Sequence, residues 1–465
     1  MTFTQTKIPT HRRFFRAAFS WRTARRILLA GAFAFTILAI FYAEEDWRGQ
    51  RDWEAYKAKV KQAGEPFNSE EMQPPPVPDD QNFAMTPSLM ANQQQGKYSI
   101  YGKIDHNAIR LIDFFPYDSL NKLGNGQPID LNELAKPLTA VELIEAMKQF
   151  DPVLDEFTTS SRRPATRFPE SFSLLGIFKL TRVYQLRAVV ELAEGQTDRA
   201  TEDVLAMFRI ARHLTSGVTL TDQLISCADS IVGAEVLQYG LVHRLWATDQ
   251  LYAMQGALDQ VDYVAALHRG YLAAQVGLNG KKNIIEWTWG GVPQRGMVHL
   301  MSVVLPSGWV DQNLLSYNKY FSELVSAINV SEHRFDVQGL TQIETQYSHQ
   351  SWTPYNFMAL AGVRNVFGIL RGGVMDVELL DEAKVDCALE RYRLANGKLP
   401  DNLDELTPQF ITKIPTNVAT GGPLHYQKLA DDHYQLFAVG WGEKEDGSNM
   451  PGKAAVIWYD TPASK

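Results

Sequence analysis

The chain of 465 residues is 45% hydrophobic and 11% aromatic, which excludes disorder over most of its length and leaves room for about two or three cored domains. Seven of its 45 Lys and Arg fall in the first 26 residues, where there is no Asp or Glu, so the remainder carries 38 basic against 53 acidic side chains. That balance of −15 has the wrong sign for a nucleic-acid surface, and no nucleic-acid partner is expected.

The first predicted element is Ile27 to Ala43, seventeen residues without a charge, flanked by Arg25 and Arg26 before and by Glu44, Glu45 and Asp46 after. A run of this length reaches the lower end of the roughly 17–25 apolar residues that carry a helix across a hydrocarbon core of about 30 Å. With Lys7, Arg12, Arg13, Arg16, Arg22, Arg25 and Arg26 on one side only, the positive-inside rule keeps residues 1–26 cytoplasmic as a basic tail and exports the rest. A cleaved signal peptide is the rival reading, but Phe41 and Tyr42 stand where a peptidase needs small residues, so an uncleaved anchor is expected. The Arg12-Arg13 and Arg25-Arg26 pairs are read as ordinary positive-inside charge rather than as a twin-arginine signal. The lipid bilayer is thus the first expected partner, through Ile27 to Ala43. The expected address is a bacterial inner membrane, crossed once, with the bulk of the chain periplasmic.

Residues 44–95 read as a juxtamembrane helix followed by a linker. Trp47, Trp53, Tyr56 and Val60 repeat at helical spacing, with the two tryptophans where interfacial aromatics are favoured. Gly64 and Pro66 stop the helix, and Pro74-Pro75-Pro76-Val77-Pro78 is a semi-rigid extended spacer.

A helical domain is expected over residues 96–372. Residues 79–137 read as an extended segment wrapped onto it, with Tyr98 to Tyr101 as a strand, and Thr139 with Glu142 forms a capping-box pattern opening a helix from Ala140 to Phe157. From Ser171 the pattern is strongest: Leu180, Tyr184, Ala188 and Leu192 recur every four residues, Gly195 turns, Thr197 caps, and Ala200, Val204, Phe208, Ala211 and Leu214 form the facing stripe. This is an antiparallel helical hairpin, resembling one tetratricopeptide unit without a second copy at the repeat period. Helices follow at 221–245, 249–258 and 263–276. The aromatic stretch Trp287, Trp289, Gly290, Gly291, Pro293 and Trp309 is expected to bury its rings in the helical core. Two further helices are expected at 313–330 and 355–370, and Gly372-Gly373 reads as a break before the final domain.

Residues 373–465 form that domain. A helix over 376–396, with Leu380, Ala383, Cys387 and Leu394 on one face, stops at Gly397, and then the period changes to two. Leu424 to Lys428, Tyr434 to Ala438 and Ala454 to Tyr459 are three predicted strands, so the domain is one helix on a three-stranded antiparallel sheet. The fold class is therefore mainly α with a small C-terminal α+β domain.

Ala388-Leu389-Glu390-Arg391-Tyr392-Arg393-Leu394-Ala395-Asn396-Gly397-Lys398-Leu399-Pro400, with Leu403, Leu406, Ile414-Pro415 and Tyr434 to Gly440, resembles the globular part of the type II secretion major pseudopilin. The whole chain also resembles a set of uncharacterised membrane-anchored bacterial proteins that end in such a domain. This chain departs from pseudopilins in placing its anchor over 300 residues upstream without a peptidase cleavage motif, so pilus assembly is not implied. The resemblance implies calcium binding in the last loop, where Glu443, Glu445, Asp446 and Asn449 are the candidate oxygen ligands. Lys444 and the non-EF-hand spacing favour reading that loop as a solvated acidic turn.

Other chemistry is sparse. There is no G-x-S-x-G, H-E-x-x-H, phosphate-binding glycine loop or C-x-x-C, and His243, His268, His299, His333 and His349 are scattered. Cys227 and Cys387 sit in apolar helical surroundings and are expected to be unpaired core thiols. Glu191, Glu194 and Glu202 read as a solvated face. No catalytic residue is assigned. The expectation is a scaffold that binds an envelope protein, and the alternative is an anchored hydrolase with a site assembled from distant residues.

Overall fold

The computed structural model describes residues 21–90, 144–145, 147–169, 175–289, 304–429 and 433–441, and among these the protein is mainly helical. The chain divides into two compact units, Met1–Glu65 with Leu278–Tyr317 and Trp352–Ala361, and Pro66–Gly277 with Asn318–Ser351 and Gly362–Lys465.

The first unit is led by helix α1, Trp21–Ala63, 43 residues without a proline. The apolar run and the juxtamembrane helix are thus one continuous element. Its most apolar 18-residue window is wholly exposed, and it is the one helix among the described residues that is long and apolar enough to cross a membrane. The stop falls at the expected residue: Gly64 takes φ 70°. The amides of Gly64 and Glu65 then return to the Lys61 and Val60 carbonyls, satisfying acceptors that the helix end leaves open.

Helix α1 bears on the start of a later helix that spans Ser307–Ser326. A Cβ on Gly49 would collide with the Gly308 backbone, and one on Gly308 with the Glu45 carbonyl, so two glycines permit a backbone-to-backbone approach. Trp47 is exposed, as an interfacial aromatic would be, whereas Trp53 is buried and stacks on Tyr56 with centroids 5.3 Å apart.

The second unit opens with a segment pinned to the domain by Asn82, whose side chain accepts from the Arg167 amide at 3.0 Å and donates to its carbonyl at 3.1 Å. Phe83 and Leu89 are fully buried there, in keeping with a chain wrapped onto the domain. Residues 144, 145 and 147 are helical, within the expected helix from Ala140 to Phe157, and Lys148–Phe150 tighten into a 3-10 turn before helix α2, Asp151–Ser160; residues 140–143 lie outside the described residues. Pro152 lacks the N–H that a helix running through this point needs, so it sits in the first turn instead. Helices α3, Leu175–Ala193, and α4, Thr197–Leu214, make the predicted hairpin around Gly195 at φ 74°. Leu180, Tyr184, Ala188 and Leu192 are buried against Ala200, Val204, Phe208, Ala211 and Leu214. The N-cap is Gln196, one residue before the expected Thr197, and it makes no side-chain cap. Helix α5, Leu220–Val242, is capped by a reciprocal Thr219–Asp222 box and packs on α3, α4 and α7. Helices α6, Thr248–Leu258, and α7, Tyr263–Gly277, match their predicted spans.

Helix α8, Lys281–Trp289, belongs to the first unit and was not expected, because Gly290 and Pro293 obscured its short helical pattern. Its Trp287 is exposed rather than in a core. Helix α9, Ser307–Ser326, begins earlier than predicted and ends before a hairpin of β1, Ile328–Asn329, and β2, Arg334–Phe335, in antiparallel register Ile328 to Phe335. Helix α10, Val337–Ser348, capped by Asp336, was also missed.

The expected break at Gly372-Gly373 is absent. Helix α11 runs unbroken over Phe357–Asn396. Gly373 is there for packing, since a Cβ on it would lie 2.9 Å from Leu267 Cδ1 of α7. The end of α11 falls at Gly397, φ 72°, as predicted, although Leu394 is exposed rather than on the buried face. Val385, Ala388 and Leu389 then form a core with Leu406, Phe410, Leu424 and Leu436. Strands β3, His425–Lys428, and β4, Tyr434–Phe437, pair antiparallel in register Tyr426 to Leu436. The sheet thus has two strands among the described residues rather than three, and the third predicted strand, 454–459, lies outside them.

Candidate functional site

Polar constellations stand out in both units. In the first, Glu45 sits on α1 just past the apolar run and is buried. Its carboxylate accepts from Arg48 Nη2 at 2.7 Å, Trp309 Nε1 at 3.0 Å and the Tyr355 hydroxyl at 3.1 Å. The Arg48 guanidinium also lies 5.1 Å from the Tyr355 ring centroid, and the same arginine is held charged by its bond to Tyr355. Asp46 accepts from the Gly308 amide at 2.8 Å, placing a carboxylate at the positive end of α9. Asp52 accepts from Gln312 at 3.0 Å, and Lys281 joins Asp311 at 2.8 Å. Contacts that step from Asp46 with Gly308 to Asp52 with Gln312 make the two helices run in the same direction. Burying one carboxylate under three donors fixes a specific geometry, because each donor lost would leave a desolvated charge.

In the second unit the helical hairpin encloses charge. Arg187 on α3 grips Asp203 on α4 through Nε at 2.8 Å and Nη2 at 2.6 Å, and gives Nη1 to Asp151 at 2.8 Å. Burial pulls against this guanidinium, but the bidentate bond to Asp203 outweighs it and holds Arg187 firmly charged. Glu191 is buried beside them, not solvated as expected, and burial pushes its carboxyl up to about 7. Arg199 is its salt-bridge partner at 3.2 Å.

A second node forms where the β1–β2 turn meets α11. His333, at φ 50°, has Nδ1 3.3 Å from Asp262 and Nε2 3.0 Å from Asp381. Bonds to Asp262 and then Asp381 raise its pKa to about 9, so at neutral pH it is an imidazolium donating from both nitrogens. Lys384 completes the node, 2.8 Å from Asp381. His213, absent from the sequence-level candidates, is the reverse case. It is stacked on Phe83 with centroids 4.5 Å apart, and since the Ser161 carbonyl can only accept, Nε2 donates to it at 2.9 Å while Nδ1 accepts from the Thr166 hydroxyl at 2.6 Å. Burial lowers its pKa to about 4, which keeps it neutral.

Two further acids are buried and a third, Asp376, is half-buried. Asp386 receives the Tyr434 hydroxyl at 2.8 Å and is pushed by burial up to about 7. Asp229, beside Thr181, is pushed to about 8, and Asp376 to about 6, both by burial. Cys227 and Cys387 are free and buried, as expected, with burial raising both thiols well above their ordinary range.

The calcium candidates Glu443, Glu445, Asp446 and Asn449 and the histidine at 299 lie outside the described residues. Among the described residues no group of three or more His, Cys, Asp or Glu is placed to hold a metal ion. The structure brings His333 together with Asp262 and Asp381, while His243, His268 and His349 stay in separate surroundings. The hairpin pair had a signal that sequence reasoning passed over: Arg187 and Asp203 are equidistant in sequence from Gly195, the relation of facing positions in a hairpin.

The fold and these sites define a mainly helical protein with one N-terminal helix fit to cross a membrane. In comparisons with protein families, with curated proteins and with solved structures, no match to the chain was found.

Proposed function

We propose that this is a single-pass bacterial inner-membrane protein whose periplasmic helical domain and pseudopilin-like C-terminal domain bind another envelope protein as a scaffold. The observation that carries the reading is α1: an apolar window exposed on every side continues without a joint into a half whose Glu45 is ligated by Arg48, Trp309 and Tyr355. An exposed apolar surface of that extent needs a non-aqueous environment, and the seven basic residues before it orient the bulk of the chain outward.

The occupied chemistry favours binding over hydrolysis. A general base needs a free lone pair, and His333 has none at neutral pH while both nitrogens of His213 are engaged. The buried thiols of Cys227 and Cys387 are held protonated, which denies them nucleophilic strength.

Crosslinking in intact cells, then mass spectrometry of the detergent-extracted protein, tests the proposal. A reproducible envelope partner joined through residues 171–460 is the expected result. Efficient crosslinking without such a partner overturns it and redirects attention to a small-molecule substrate.

A further inference from the structure

Resting on the anchored reading above, we infer that the lipid interface is a ligand of the first unit and not only of its helix: Val304, just before α9, is immersed in the bilayer boundary beside the outer end of α1.

Tyr42 belongs to the apolar run, and its hydroxyl donates to the Val304 carbonyl at 2.6 Å. Phe41, its neighbour in that run, meets the Trp309 ring edge-on with centroids 6.1 Å apart. Whatever covers Phe41 and Tyr42 therefore reaches Val304 as well. Val304 is 51% exposed and Phe41 40%, and Ile37, Leu38 and Ile40 are exposed along the same stretch of α1. Charge begins immediately after with exposed Glu44, and Glu45, Asp46 and Arg48 follow, each of these three engaged with a partner in the same unit.

Length points the same way. Seventeen helical residues at about 1.5 Å each extend roughly 25 Å, short of a hydrocarbon core of about 30 Å. A bilayer that covers the run has no spare thickness to withdraw from its ends, so Tyr42 and Val304 lie within it or at its edge. Helix α9 then leads away from that edge in the direction of α1, from Gly308 beside Asp46 to Gln312 beside Asp52. The occupant is thus the boundary between acyl chains and headgroups, where an exposed valine and two aromatics are favoured.

The test uses the full chain reconstituted in phosphatidylcholine vesicles that carry nitroxides on their acyl chains. Single cysteines labelled with an environment-sensitive fluorophore are placed by Val304→Cys, by Phe33→Cys in the middle of the apolar run, and by Lys61→Cys at the exposed far end of α1. Cys227 and Cys387 are buried and stay unlabelled in the folded protein. The Tyr42 contact uses the Val304 backbone, so the substitution leaves it in place. The expected result is blue-shifted, nitroxide-quenched emission at 304 and 33, with neither effect at 61. Aqueous, unquenched emission at 304 with quenching at 33 overturns the inference and leaves the anchor standing. Blue-shifted but unquenched emission at 304 also overturns it, because protein rather than lipid then covers the site. Aqueous emission at 33 removes the anchor and the inference together.

Discussion

At the scale of single residues, burial works against several acids. The Asp386 carboxyl titrates in the folded chain at about 7, above its ordinary 3.8, so the folded state holds a proton that the unfolded state releases. The penalty is absent below the ordinary value, grows as pH rises towards 7 and is complete above it. Asp386→Asn removes the ionisation and keeps an acceptor for Tyr434. It is expected to stabilise the protein by about 1–3 kcal/mol at pH 8 and to change little at pH 4, read as urea midpoints at the two pH values. His333 has the opposite sign. Its folded pKa of about 9 exceeds the ordinary 6.5, so its contribution is fully present below 6.5 and lost as pH rises through 9. The ring is a third exposed and screened accordingly, and His333→Gln is expected to cost about 1 kcal/mol at pH 6 and almost nothing at pH 10. Equal losses at the two pH values would show that His333 acts by shape alone.

At the scale of elements, glycines separate packing from flexibility. Within α11, Gly372 has open space where a Cβ would stand, whereas a Cβ on Gly373 would lie 2.9 Å from Leu267. Gly372→Ala should raise thermal stability by about 0.5–1 kcal/mol, and Gly373→Ala should lower it by about 1–3 kcal/mol. Gly308→Ala, facing backbone rather than a side chain that can turn aside, should cost at least as much as Gly373→Ala, with calorimetry checking all three. The pair explains what could be read from sequence and what could not. The α3–α4 hairpin was legible because its stripe is apolar at every fourth residue and Gly195 has one job, the positive φ of a turn. Gly372-Gly373 was misleading because glycine serves both helix breaking and close approach, and only the neighbour, Leu267, distinguishes them. The same holds for the charged sites. Glu191 looks like a surface residue until α4 brings Asp203 and Arg199 to it, and Glu45 looks like one more interfacial acid until Trp309 and Tyr355 arrive from more than 260 residues away. Partners so distant leave no periodic trace.

At the scale of the whole molecule, the buried acids alter the charge that folding leaves exposed to titration. Asp229, Asp386 and Glu191 stay largely protonated at the sequence pI of about 5.7, where the unfolded chain has lost those protons. His213, neutral when folded, offsets this only in part. Native isoelectric focusing should place the protein at higher pH than focusing in urea, and coincident bands would show that these carboxyls ionise freely. Helix α1 carries a different consequence. Between Trp21 and Ala63 it has no proline, and of its two glycines Gly31 stands in open space while Gly49 is wedged against Gly308. Between Gly31 and Gly49 the helix is thus a shaft with a fitted collar, and a twist or tilt applied to that stretch reaches Trp309 and Tyr355 as torque.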